Sequence, residues 1–335
     1  NAAAGFEQAM ANVKAVSGAS GEEFVKLDAL AMKLGKDTVF SAKEAAQGME
    51  EMVKGGISVA DIMDGAAKAV LDLATAGGVS LPEAAEIASN AIAMFGLNGK
   101  DMAHVSDLIA GAANASSLSV SDFRFALQMS GAVARTAGQT FDDLAVAIAV
   151  MGREGLKGSD AGTSLKTMMM NLQSSGGKAT TAMIELGIET ADGGNLFIDA
   201  AGKFKPMAEI AGILKDKTKD LTEAERLQKL EMIFGSDAVR AAAIMARQGA
   251  EGFTEMAGAM GKVTAESVAA TKLDTLSGSF EQLKGSWETL LITIGKPMLP
   301  LIRSVVDGLT GFANTLIENV GPVLKAIAPH FNRFI

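Results

Sequence analysis

Seven large apolar side chains along one stretch of this chain are spaced as on a helix that lies against a partner helix. Leu273, Leu276, Phe280, Leu283, Trp287, Leu290 and Ile294 follow one another at 3, 4, 3, 4, 3 and 4 residues. An average of 3.5 keeps the stripe on one neighbour throughout, whereas the 3.6 of a core helix lets it drift around the surface. The stretch predicts a coiled-coil-like rod, and the rest of the chain must be organised around an element that wants company.

Beyond the seam, Gly295 to Pro300 interrupts the rod, because proline removes a backbone donor and clashes with the preceding turn. A kink or short break is expected at 297–300. The pattern resumes at Ile302, Val305, Leu309, Phe312 and Leu316, again at 3, 4, 3 and 4. Here Leu301, Val306, Ala313, Ile317 and Val320 widen the apolar face, which suits burial among helices or contact with a membrane interface. Asn319 continues the second stripe, where a polar residue can fix register. No window of eighteen residues is free of charge, so a conventional transmembrane helix is not expected.

Composition makes the remainder helical. Apolar residues are 48% and charged residues 21%, enough for a buried core, while aromatics are only 5%, Tyr is absent and Pro numbers six. Many of the 37 glycines fall between apolar-periodic runs, where helix C-caps need positive φ. A net charge of −9 argues against specific nucleic-acid binding, which needs clustered Lys and Arg. The absence of cysteine removes disulfides, thiolate nucleophiles and Cys-based zinc sites. Both ends, Asn1 to Phe6 and His330 to Ile335, read as the interior of something longer.

A period runs through the first half. Ser41 with Glu44 returns as Ser80 with Glu83, then as Ser119 with Asp122, and Ser159 is expected to open a fourth helix without the acid; the serines lie 39, 39 and 40 residues apart. A hydroxyl at N-cap with a carboxylate at N3 satisfies orphan amides and sets negative charge at the positive helix end. Within the same period Gly56, Ser58 and Asp61, then Gly96, Asn98 and Asp101, then Gly138, Thr140 and Asp143 give a glycine C-cap followed by a fresh N-cap. One period therefore holds two helices. The fold class is all-α: repeated helix pairs of about 40 residues in a solenoid-like stack or a compact bundle, one short β-hairpin, and then the rod.

The organisation expected is N-terminal helices over 1–40, the helix-pair region over 41–175, a helical region over 176–264 and the rod over 265–335. In the third region Leu196 to Asp199 and Lys203 to Lys205 alternate around a glycine turn, predicting a hairpin near 196–205. Lys215 to Asp220 reads as a solvated loop, Thr222 with Glu225 caps the next helix, and another ends at Gly249.

The search for chemistry finds no catalytic, cofactor or metal site. His104 and His330 fall on different elements, so no multi-histidine metal site is present. Glu50 with Glu51 and Asp142 with Asp143 are adjacent carboxylates that point apart on a helix. Gly158 to Ser164 looks like a phosphate loop but lacks its lysine and follows no strand. Met168, Met169 and Met170 suit core filling or an adaptable contact. No enzyme activity is expected.

Several stretches, taken in order, resemble the phage tail tape-measure protein family: Gly5 to Val13, Thr38 to Ala46, Phe95 to Leu97, Gly155 to Thr163, Leu186 to Ile188 and Ile233 to Gly235. The similarity spans about residues 5 to 260, the helical core region of a longer protein. It implies a virion protein of the tail tube lumen or tail tip, made in the host cytoplasm. Such proteins set tail length through their own length and leave ahead of the DNA at infection. It further implies that the seam joins copies of this chain, as a homotrimer, in contact with tail-tube and tail-tip proteins. Residues 298–328 are then the candidate for host membrane contact. The chain departs from the family pattern in lacking the very long coiled coil and any fused peptidoglycan hydrolase. The alternative reading is a membrane-active helical protein acting on the host envelope through its C-terminal apolar helices.

Overall fold

The structure is a computed structural model that describes residues 2–173 and 176–331, with side chains described as far as Val320. Asn1, Ser174, Ser175, residues 332–335 and the side chain of His330 lie outside the described residues. The described chain is helical almost throughout. It begins with α1 (Ala2–Ser17), α2 (Gly21–Asp37), α3 (Ala42–Lys54), α4 (Val59–Asp61), α5 (Ala67–Gly77) and α6 (Leu81–Phe95). It continues with α7 (Met102–Ala115), α8 (Val120–Thr136), α9 (Phe141–Arg153), α10 (Gly158–Met170) and α11 (Gly177–Glu185). After an irregular stretch come α12 (Met207–Thr218), α13 (Glu223–Phe234), α14 (Val239–Met260), α15 (Ala265–Leu273), α16 (Leu276–Gly295) and α17 (Leu299–Phe331).

The caps expected from sequence set most of these boundaries. Ser41 Oγ accepts from the Glu44 amide at 3.3 Å, and a Glu44 carboxylate oxygen accepts from the Ser41 amide at 2.8 Å. Ser119 with Asp122 and Thr140 with Asp143 close the same reciprocal pair. Ser80 accepts from the Glu83 amide, but the Glu83 carboxylate turns instead to the Ser121 hydroxyl at 2.9 Å. At the other ends, Gly96 sits at φ +64° and lets the Leu97 amide donate to Ile92 O at 2.9 Å, a return bond that an L-residue there would strain. The fourth helix departs from expectation: it starts at Gly158, with Lys157 rather than Ser159 at the N-cap position and no side-chain cap.

Successive helices pack in two rows. In one, α1, α3, α6, α8 and α10 each lie against the next; in the other, α5, α7, α9, α14 and α12 do the same. Bonds between neighbouring pairs join residues about one period apart: Asn12 to Glu50, Ser121 to Glu83 and His104 to Asp142 are each separated by 38 positions. Small residues let the rows close up. At Gly162 an added Cβ would stand 2.5 Å from Ala126 O, so α8 and α10 touch backbone to backbone there. Phe95, Phe141 and Phe123 meet edge to face at 5.5 and 6.2 Å between centroids, where α6, α8 and α9 converge.

Three expectations change. The segment near 196–205 forms one isolated antiparallel bridge, Ile198 with Phe204, in place of paired strands. Its arms are too short for a ladder, and Asp199 Oδ1 takes the Ala201 and Lys203 amides at 2.8 and 2.9 Å, closing the turn locally. Lys215 to Asp220 is helical as far as Thr218, because Leu214 and Thr218 are buried and the Thr218 hydroxyl bonds back to Leu214 O. The Ala265–Leu273 helix belongs to the packed body: Ala265 and Ala269 are buried, and the Ala265 amide donates to Asp107 Oδ1 at 2.7 Å. The described rod starts at Leu276. Gly249, by contrast, breaks α14 where a helix end is expected, at φ +62° and ψ −170°.

The caps carry a pH dependence. Hydrogen bonds from the Thr222 side chain and amide hold Glu225 below the usual carboxylate range, and those from the Ser20 amide and hydroxyl do the same for Glu23. A carboxylate lowered in the folded state stabilises fully above its unfolded pKa and loses that contribution as pH falls through its folded one. Asp72 runs the other way, since burial raises it against the pull of Lys68. The urea midpoint of Thr222→Ala should therefore fall less steeply below neutral pH than that of the parent. Equal slopes would contradict the cap assignment.

Candidate functional site

The rod's two sides differ in kind. On the side facing the body, α16 buries Gly278, Gly285 and Ile292, spaced by seven, together with Thr289. An added Cβ on Gly285 would lie 3.0 Å from both Val39 O and Phe40 O, so only glycine admits this approach. Thr289 Oγ1 donates to Gly285 O at 2.9 Å and accepts weakly from the Ala42 amide at 3.4 Å. The Ser286 hydroxyl donates to Lys36 O at 3.0 Å. Further along, Lys296 pairs with Asp28 and lies 5.2 Å from the centroid of the Phe6 ring, and Arg303 pairs with Glu7 at 2.8 Å.

The opposite side carries the seam. Leu276, Phe280, Leu283, Trp287, Leu290 and Ile294 are between 45% and 76% exposed. Most of the large apolar side chains of the helix lie on this side, while the body packs against small residues and Ile292. Leu273 stands apart from the other six: it ends α15, is half-buried, and is separated from α16 by Asp274 at ψ 55° and the Thr275 N-cap. Heptad spacing runs through that break without registering it.

On α17, Ile302, Val305, Leu309, Phe312 and Leu316 are likewise exposed, 46% to 64%. Lys296–Met298 forms a single 3-10 turn, and Gly295 and Leu299 keep right-handed helical dihedrals. The break is thus a tightening of the helix, since prolines at 297 and 300 fall in first turns where no donor is missed. It nevertheless shifts the stripe. Ile302 follows Ile294 by eight residues instead of seven, so the second seam lies roughly a quarter turn around from the first at 3.6 residues per turn. Continuing the first frame past Ile294 meets Leu301, Ser304, Gly308, Gly311 and Thr315, which are mostly small.

Leu276–Val320 is long and apolar enough to cross a membrane by length and composition, with an 18-residue window of mean hydropathy 1.4 that is 11% buried. That window tolerates the two charges which the charge-free criterion rejects.

The residues examined for chemistry sit in structural roles. His104 Nε2 meets Asp142 Oδ1 at 2.9 Å on the exposed surface, and Asp143 caps Thr140. Glu50 and Glu51 both pair with Lys54. Ser164, at the end of the loop-like stretch, donates from its buried hydroxyl to Asp237 O at 2.6 Å. Met168 and Met169 are buried, and Met170 is 65% exposed. Among the described residues no group of three His, Asp or Glu side chains is gathered as a metal would need.

Sequence reading missed the underside of the rod. The signal was present in the seven-residue spacing of Gly278, Gly285 and Ile292, diametrically opposite the seam.

The family of phage-related minor tail proteins matches residues 28–235 of the chain. The chain is 31% identical over 320 residues to the tape measure protein of Pneumococcus phage Dp-1, covering 95% of this chain and 27% of that protein. It is 27% identical over 296 residues to the probable tape measure protein of Escherichia phage P2, covering 85% of this chain and 35% of that one. The chain therefore spans about a third or less of the length of these relatives. No solved structure matches it.

Proposed function

Because the chain belongs to the phage-related minor tail protein family, we propose that it is a structural part of a phage tail, a stretch of a tape-measure protein. On this reading it lies in the tail tube lumen or at the tip of the virion, beside tube and tip proteins. The longer protein of which it is part sets tail length and leaves ahead of the DNA. The helical body is a stack of capped helix pairs, supported by the two rows and the 38-residue bonds between neighbours. No catalytic step belongs to this role.

One observation carries the reading for this segment: the seam is exposed and faces away from the body, so its natural cover is the seam of another copy. Magnitude decides what such cover achieves. Burying the six partly covered side chains of each copy contributes roughly 1–2 kcal/mol apiece, about 12–24 kcal/mol for the two seams of a two-copy contact. Association costs about 4–15 kcal/mol in lost freedom. A two-copy contact along α16 alone therefore runs from break-even to favourable, and a three-copy bundle, in which each seam meets two others, moves the balance further toward association.

Sedimentation of the intact chain over a range of concentrations tests this. A mass that rises to three copies supports the bundle; a monomer throughout overturns it. A monomer that floats with anionic vesicles would instead favour the membrane-active reading, which the hydropathy of Leu276–Val320 supports.

A further inference from the structure

The attachment of the rod to the body has the features of a hinge and a catch. At its base, α15 ends at Leu273 and α16 begins at Leu276, with Asp274 at ψ 55° between them. A cavity of about 640 Å³ borders Leu273 and Thr275, and another of about 680 Å³ borders Ala270 and Leu273. The turn itself is closed by local hydrogen bonds, and the joint has open space on either flank into which it can bend.

Along its length, the docked face of α16 is made of glycines and a threonine, with Ile292 the one large apolar side chain buried there. Lifting this face uncovers one large apolar side chain of the arm, Ile292, which is fully buried in the main core, so apolar burial holds the arm chiefly at that point. What remains is polar. Ser286 and Thr289 make neutral hydrogen bonds near the middle, and at the far end Lys296 meets Asp28 while Arg303 meets Glu7. These two pairs tie the rod to two different helices, α2 and α1. Both are partly exposed and so open to screening by salt.

We infer that α16 and α17 form one arm, hinged at Asp274–Thr275 and latched to α1 and α2 through Lys296 and Arg303. The latch fixes the arm with its seam outward; release lets the whole arm swing without unfolding the body. This inference stands apart from self-association, since it concerns contacts within one chain.

The chain has no cysteine, so Ala11→Cys on α1 and Asp307→Cys on α17 give one spin-label pair. The labelled chain is diluted into excess unlabelled chain, so that only distances within a molecule are read. At low salt one narrow distance is expected. At about 1 M salt, where the Debye length is about 3 Å, the distribution should broaden and lengthen. Asp28→Lys should do the same at low salt, and Asp28→Lys with Lys296→Asp should restore the narrow distance. Gly285→Leu, which drives a side chain against Val39 O and Phe40 O, should strain the docked face and make the arm release at lower salt than in the parent. A distance unchanged by salt in the parent overturns the latch, whether or not the variants fold.

Discussion

Replacing Leu283 and Leu290 together with glutamate should give a chain that stays monomeric at concentrations where the proposed seam contact joins copies of the parent. Both positions lie in the middle of the seam, 60% and 45% exposed in the single chain. The substitutions therefore remove little internal packing. Unfolding of the body should move by about 0.5 kcal/mol or less, the usual range for surface changes. In a bundle the same positions face their equivalents, and each glutamate becomes a carboxylate with like charges across the axis and no cation to meet. An uncompensated buried charge costs about 3–5 kcal/mol, so two per chain weaken association by more than about a thousandfold. Light scattering reads the mass, and circular dichroism confirms that helix content is kept. A double variant with the parent's mass would show that any association uses another surface.

Phe141→Ala carries the largest expected loss of stability. Phe141 is 2% exposed and its ring stands between Phe95 and Phe123. Truncation removes the ring and leaves a void bordered by three helices whose spacing is fixed by capped ends. Phe→Ala in a core costs about 3–5 kcal/mol, a large fraction of the roughly 5–15 kcal/mol that holds a domain. The urea midpoint should fall sharply with little change in slope. Phe280→Ala, an aromatic 63% exposed, is the matched control and should leave the midpoint of the single chain nearly unmoved. A similar loss at both positions would mean that the seam is packed within the chain after all.

Local chemistry was the part most legible in sequence. Ser41, Ser119, Thr140 and Thr222 cap where expected because an N-cap and its N3 partner lie within four residues of each other and need no distant information. Glycines such as Gly96 and Gly249 were readable for the same reason, through their own φ. The failures occurred where a local pattern competed with packing. Around Leu273 the spacing continued across a helix break, and only the burial of Ala265 and Ala269 shows that α15 belongs to the body. The hairpin near 196–205 has the right alternation, but an Asx turn at Asp199 takes the Lys203 amide, and the pairing stops at one isolated bridge. The seam itself was plain, whereas its direction was not. Which way it faces depends on Gly278, Gly285 and Thr289, and small residues give no apolar signal of their own even when they decide how closely two helices approach.

The one-residue offset between Ile294 and Ile302 bears on how many neighbours the rod can serve. A helix with a single stripe is monovalent: once zipped into a closed group, it has nothing further to offer. If copies join along α16 as proposed, they reach α17 with their second stripes turned aside from the shared axis and still uncovered. On that reading the rod is divalent, and closing one group of copies would leave a contact with which to begin the next.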